Sequence, residues 1–200
     1  MSAEPIAHPP APWHPDPVRQ SRADHTLEDL LALPPGAPRV ELVDGVLHVT
    51  PSPSLGHQHI AFLLCRWLTD HAPADLTATQ AVQVALAADT ARQPDVLLRV
   101  RDVDLAKSLL LPEQVLLAVE VVSPGTRRTD RFAKPAEYAA AGIHHYWRIE
   151  QDPIHLYAYR LADRPGPSGR REYELVTDSA DEITLTEPFA LTLSINEITP

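Results

Sequence analysis

The sequence predicts a mixed α/β (α+β) domain in which helices flank one central mixed β-sheet. Three observations predict it. Two short alternating apolar runs meet across Asp44-Gly45, the strongest short-range signal for a hairpin. Ile60, Leu63, Leu64, Trp67 and Leu68 recur at three- and four-residue steps, the stripe of an amphipathic helix. Residues 115–122 are apolar except for Glu120, which fits a strand buried on both faces.

Taken in order, the first 23 residues hold Pro5, Pro9, Pro10, Pro12, Pro15 and Pro17. Proline lacks a donor and fixes φ, so residues 1–23 are expected to be an extended, disordered tail, with Trp13 able to dock on the body. The folded domain is expected over 24–200. Asp24 or Thr26 caps a short helix over 27–33, and Pro34, Pro35 and Gly36 stop it. The hairpin strands follow at 40–43 and 46–50, and alternation points Glu41 away from Val40 and Leu42. Pro51-Ser52-Pro53-Ser54 is a loop ending in a helix cap, and the helix over 55–71 carries His57 in its first turn. One strand is predicted over 80–86 and another over 95–100, opened by Pro94, a position where a strand tolerates proline. After the strand at 115–122, a helix runs over 127–141 and ends at Gly142. Pro135 removes a donor inside it and disfavours helical geometry at Lys134, so a kink or a restart is expected there. Strands at 146–149 and 154–161 join across Asp152-Pro153, and weaker ones at 173–176, 183–185 and 190–193 finish the chain.

Composition narrows the function classes. At 200 residues and 44% hydrophobic, the chain can bury a core as one domain. Its 17 basic against 27 acidic residues give a net charge of −10, which excludes a general basic coat for nucleic acid and leaves only a local patch. The single cysteine, Cys65, excludes an internal disulfide framework and a multi-cysteine zinc site. A reducing cytoplasm is the simple inference. No apolar run approaches the ~20 residues of a membrane helix, and the N-terminus lacks the layout of a secretory signal.

Glu120 carries the chemical interest. An unpaired charge in an apolar strand would cost several kcal/mol, so it needs a cation or a cleft. Asp95 opens a second apolar strand, and if the two strands are neighbours both carboxylates converge at one edge. Two such groups repel unless a divalent cation lies between them, and all-oxygen donors suit Mg²⁺ or Mn²⁺. The plainer alternative pairs Glu120 with an arginine at the sheet edge and uses Asp95 to cap a turn. The turn Ser123-Pro124-Gly125-Thr126-Arg127-Arg128 offers backbone donors and two guanidinium groups to a phosphate, with Arg131 one turn on. Pairing with Asp130 and Glu137 on a solvated helix face is the alternative there. His144 and His145 face opposite ways on a strand and read as structural.

An ordered set of segments now gains meaning: Glu41-Leu42-Val43-Asp44-Gly45, Pro51-Ser52-Pro53-Ser54 with His57, Pro94-Asp95-Val96, Val119-Glu120-Val121-Val122-Ser123-Pro124, Asp130, Lys134, Tyr138, Ala141-Gly142-Ile143 and Tyr146-Trp147. Together they resemble the Uma-two family of restriction-endonuclease-like proteins, within the PD-(D/E)xK nuclease superfamily. The resemblance runs from about Asp24 to Pro200. It implies a restriction-endonuclease-like core and a metal-dependent endonuclease hydrolysing DNA phosphodiester bonds, with Mg²⁺ (or Mn²⁺) as cofactor. DNA is the implied partner, a homodimer the implied assembly, and no membrane is involved. Asp95 and Glu120 match the acidic pair. The residue two beyond Glu120 is Val122 where the pattern has lysine. The resemblance implies that Lys134, on the following helix, reaches the same space and serves the attacking water. It likewise implies Glu41 as an additional metal ligand and His57 as a substrate contact at a helix N-terminus. Two alternatives stand beside the endonuclease: a nuclease fold that binds without cutting, and a hydrolase of a small phosphorylated molecule.

Overall fold

The computed structural model describes residues 23–200. The proline-rich tail, except for Ala23, and the docking of Trp13 lie outside the described residues.

Helix α1 (Leu27–Leu31) starts at Thr26, whose hydroxyl accepts from the Asp29 amide while the Asp29 carboxylate accepts from the Thr26 amide. Strands β1 (Val40–Val43) and β2 (Val46–Val49) form the expected hairpin, with Glu41 opposite His48. Asp44 and Gly45 adopt φ of 49° and 74°. A Cβ on Gly45 would lie 2.6 Å from the Ala23 carbonyl oxygen, so glycine is required by space as well as by conformation. Helix α2 (Leu55–His71) matches the predicted bounds, and the Ser54 hydroxyl caps it by accepting from the His57 amide.

The rest of the chain adds β3 (Leu76–Gln80), β4 (Gln83–Ala87), β5 (Thr90–Arg92), β6 (Val96–Val100), β7 (Leu109–Leu110) and β8 (Val115–Val121). A π-helical turn (Thr129–Ala133) then leads into α3 (Lys134–Ala141). Strands β9 (His145–Gln151), β10 (Ile154–Leu161), β11 (Tyr173–Ser179), β12 (Glu182–Leu185) and β13 (Leu191–Ser194) follow. The class is the predicted one, but the strands divide among three sheets rather than one. The largest has the order β11-β10-β9-β8-β6-β3, a second has β2-β1-β5-β4-β7, and β12 pairs β13. The predicted strand at 80–86 is two strands. Ala81 takes φ 51° between them, so the chain leaves the large sheet after Gln80 and joins the second at Gln83. The helix predicted over 127–141 does restart at Lys134. Pro135 has no N–H for the carbonyl four residues back, and the turn before it is π-wound, with the Lys134 amide donating to the Thr129 carbonyl.

Pairing fixes the faces. In the antiparallel β6–β8 pair Val96 lies opposite Val119, so alternation sends Asp95 and Glu120 to the same face. Residues of opposite parity (Val96, Leu98, Val119 and Val121) pack with Ile60, Leu64 and Leu68 of α2 in the main core. Leu97 and Ala118 pack on the other face with Tyr138 of α3 and Tyr146. The large sheet therefore lies between α2 and α3, and the two carboxylates point toward α3.

Candidate active site

A cleft of about 710 Å³ opens where the β1–β2 hairpin, the start of α2, the ends of β6 and β8 and the start of α3 meet. Glu41, His57, Asp95, Glu120, Ser123, Asp130 and Lys134 all line it.

Asp95 is fixed by the sheet. Its amide donates to the Val119 carbonyl, and its Oδ2 accepts from the Val121 amide at 2.9 Å. His57 Nε2 lies 3.1 Å from the same oxygen, and Arg39 Nη1 lies 3.3 Å from Oδ1. His57 is buried, and its Nδ1 has no hydrogen-bond partner among the described residues. Glu120 Oε1 accepts from the Tyr138 hydroxyl at 2.6 Å, and Oε2 accepts from Lys134 Nζ at 2.8 Å. Glu41 belongs to the second sheet and points away from Val40 and Leu42, as alternation requires. Yet it is buried, accepting from Arg92 Nη1 at 2.9 Å and from the Gln93 amide at 3.1 Å.

Lys134 is the hub. Its ammonium lies 2.8 Å from Glu120, 3.1 Å from Asp130 and 3.7 Å from Glu41. Burial alone would lower its pKa, but the carboxylates of Glu120, Glu41, Asp130 and Asp95 outweigh burial and hold the ammonium protonated well above the usual lysine range. Glu120 shows the reverse side of the same arithmetic. Burial, together with repulsion from Asp95, Asp130 and Glu41, lifts its pKa well above the carboxylate range despite Lys134. Burial also raises Asp130, against the pull of Lys134. Asp95 goes down instead, because His57, Lys134 and Arg39 overcome its burial, and Glu41 goes down through Lys134 and Arg92. One lysine thus serves more buried carboxylates than it can neutralise.

Val122 supplies no amine. It is buried at the end of β8, with its amide donating to Ile149, and the ammonium beside Glu120 comes from Lys134, the first residue of α3. Ser123 lines the cleft, with its hydroxyl 2.8 Å from that of Thr126. Arg127 and Arg128 are exposed and do not line the cleft. Arg131 faces away from it and binds Glu150 through two bonds of 2.9 Å. The carboxylates suggested as partners of that basic run go elsewhere: Asp130 to Lys134, and Glu137 to Arg92 at 2.6 and 2.8 Å.

Tyr138, Asp130, Arg39 and Arg92 are site residues that periodicity did not single out. Residues 130, 134 and 138 share a four-residue spacing that puts them on one helical face, which is a usable signal. Arg39 precedes β1 and Arg92 ends β5, both in ordinary sequence, and they carry none.

For a divalent ion the donor chemistry is suitable. Asp95 and Glu120 offer only oxygen, and Mg²⁺ commonly takes one or two carboxylates and completes its shell with water. The excess of buried carboxylate over cation at Glu120 also favours added positive charge. Among the described residues no group of three or more His, Cys, Asp or Glu side chains could hold a metal as it stands.

Residues 27–196 match the Uma2 family model, described as "Putative restriction endonuclease". Among solved structures the chain is similar to a crystal structure from Anabaena variabilis titled as a putative nuclease belonging to DUF820. The TM-score is 0.67 and the identity 20%, covering 86% of this chain and 96% of that one. That likeness shows the restriction-endonuclease-like fold. No curated protein matches the chain.

Proposed function

The chain belongs to the Uma2 family, and from that premise we propose that it is a metal-dependent endonuclease hydrolysing DNA phosphodiester bonds at the Asp95–Glu120 cleft. The observation that carries the proposal is the convergence of Asp95, Glu120 and Lys134 from β6, β8 and α3, with Lys134 Nζ 2.8 Å from Glu120. The family description and the nuclease title of the structural neighbour point the same way.

Asp95 and Glu120 would hold Mg²⁺ or Mn²⁺, with Glu41 assisting; such an ion polarises a phosphoryl oxygen and acidifies an attacking water. The backbone bond from Val121 to Asp95 Oδ2 and the hydroxyl bond from Tyr138 to Glu120 Oε1 hold both carboxylates in fixed orientations. That orientation is prepaid in folding and is not lost at each turnover. Lys134 stays protonated, so it acts as a charged donor toward developing negative charge rather than as a base. His57, at the start of α2, sits where the helix N-terminus favours an approaching phosphate.

A second reading has its own support. Glu120 Oε1 and Oε2 and Asp95 Oδ1 and Oδ2 all already have a protein donor, as in a nuclease fold that binds without cutting. Plasmid nicking decides between the two. Wild type is expected to nick in Mn²⁺ or Mg²⁺ and not in EDTA, and Asp95→Asn is expected to lower the rate at least about 100-fold. Equal rates in both proteins would remove Asp95 from the chemistry, and no nicking by either would favour the binding protein. Cleavage of both strands of a duplex suits a symmetric pair of chains, and sedimentation with and without DNA tests the proposed homodimer.

A further inference from the structure

A second groove, of about 1,000 Å³, lies on the opposite side of the helical segment that lines the cleft. Asp130 and Lys134 face the cleft, whereas Arg131, Phe132 and Pro135 line the groove. We infer that this groove is a track for single-stranded nucleic acid, taking one strand of the substrate away from the cleft; the inference rests on the nuclease reading for its cargo.

Charge selects an anion. Arg131, Arg148, Arg170 and Arg171 line the groove in a chain whose net charge is −10. Arg131 and Arg148 share one carboxylate, Glu150. Arg170 and Arg171 are exposed and have no carboxylate partner among the described residues. Of the acids that line the groove, Glu137 is paired with Arg92, and Glu172, bonded to the Ser168 hydroxyl at 2.6 Å, keeps its charge, so the four arginines still outnumber the carboxylates around them. Arg171 reaches the end of α3: a Cβ on Gly142 would lie 3.0 Å from its Nη1.

An exposed ring selects an unpaired strand. Phe132 is 71% exposed, and nothing in the cleft uses it. Beside it, the half-buried Arg148 guanidinium lies 4.3 Å from the Tyr157 ring centre and 5.7 Å from that of Tyr159, which lines the groove. A single strand can place a base on such surfaces while its phosphates meet the arginines, whereas a duplex keeps its bases stacked inside.

Fluorescence anisotropy with a labelled oligothymidylate about 20 nucleotides long, and with a matched duplex, tests this on the full chain in EDTA, where no cutting intervenes. The expected result is tighter binding of the single strand than of the duplex. Phe132→Ala should weaken it about tenfold, and Arg170→Gln with Arg171→Gln should lower the slope of log K against log salt by about 1.4. Melting temperatures check folding; if Arg171→Gln lowers stability, Phe132→Ala and Arg170→Gln alone carry the test. Preference for the duplex, wild-type affinity in every variant, or equal displacement by polyglutamate would overturn the inference. Failure of the nuclease reading looks different: a chain that nicks no plasmid yet loses oligothymidylate binding in these variants keeps the track and loses the enzyme. A chain that nicks while every variant binds normally keeps the enzyme and loses the track.

Discussion

Lys134→Met removes one charge and keeps most of the stem. In the wild type the ammonium has Glu120, Asp130 and Glu41 at 2.8, 3.1 and 3.7 Å. Removing one partner of a buried pair commonly costs about 3–5 kcal/mol, because the other charge is left uncompensated. More than one carboxylate loses its cation here, but Glu120, whose pKa is already raised, can take up a proton, and this caps the loss within that range. For a domain of this size each kcal/mol moves Tm by about 2–4 °C, so a fall of roughly 6–20 °C is expected at neutral to mildly alkaline pH. Acidification should shrink the gap. Without lysine the carboxylates titrate higher in the folded state than in the unfolded, so their stabilisation is present at low pH and is lost as pH rises through the raised values. The assay is calorimetry across that range, with Glu120→Gln added to Lys134→Met as the second arm. Removing the repelling carboxylate should restore about 1 kcal/mol or more. A Tm within about 2 °C of wild type at alkaline pH, or no recovery in the double variant, would refute the hub assignment.

Tyr138→Phe deletes the 2.6 Å bond to buried Glu120 and should cost about 1.5–3 kcal/mol by urea denaturation, with lower nicking activity as well. His145 is held neutral mainly by burial, its pKa lowered to about 4 from 6.5. The unfolded chain binds that proton first as pH falls, so stability should rise with pH across the window between those values. His145→Gln should flatten that rise, by no more than about 2 kcal/mol given the partly exposed ring; an unchanged slope in thermal melts would exclude it. Saturating Mn²⁺ should raise the Tm of wild type, with ~2.7 kcal/mol expected at a hundredfold excess over Kd, and EDTA should reverse the shift. The increment should grow with pH, because a proton on Glu120 competes with the ion. Glu120→Gln should blunt it, and equal increments in both proteins would take Glu120 out of the site.

Much of this is legible in the sequence. Asp44-Gly45 between alternating runs gave the hairpin, the Ser54 cap and apolar stripe gave Leu55–His71, and Pro135 gave the restart at Lys134. These are local signals, set by residues within one or two turns of each other. The partition into sheets is not local. Residues 80–86 alternate well enough for one strand, but β3 pairs β6 while β4 pairs β5, and Ala81 carries no mark of the crossing. The placement of the arginines is non-local for a related reason. Arg127 and Arg128 stand next to Ser123 in the chain, yet the helical turn presents Asp130 and Lys134 to the cleft and leaves both arginines exposed outside its lining. Arg92 lies 45 residues from Glu137 and 51 from Glu41 in the chain, a separation no periodicity reports.

The register of β6 on β8 is what converts sequence into chemistry. With Val96 opposite Val119, alternation commits Asp95 and Glu120 to the α3 face. A slip of one residue would turn one of them toward the apolar residues of α2, where it would meet no cation. The main core therefore protects the site: Val96, Leu98, Val119 and Val121 are buried on the α2 side only in this register. On the α3 side the fold retains Glu41, Asp95, Glu120 and Asp130 around Lys134, with Arg92 on Glu41 and Arg39 on Asp95, an arrangement that a stability-driven core would replace with apolar packing. Folding tolerates it because the apolar face fixes the register independently, and the unbalanced charge is left available to a cation brought by function.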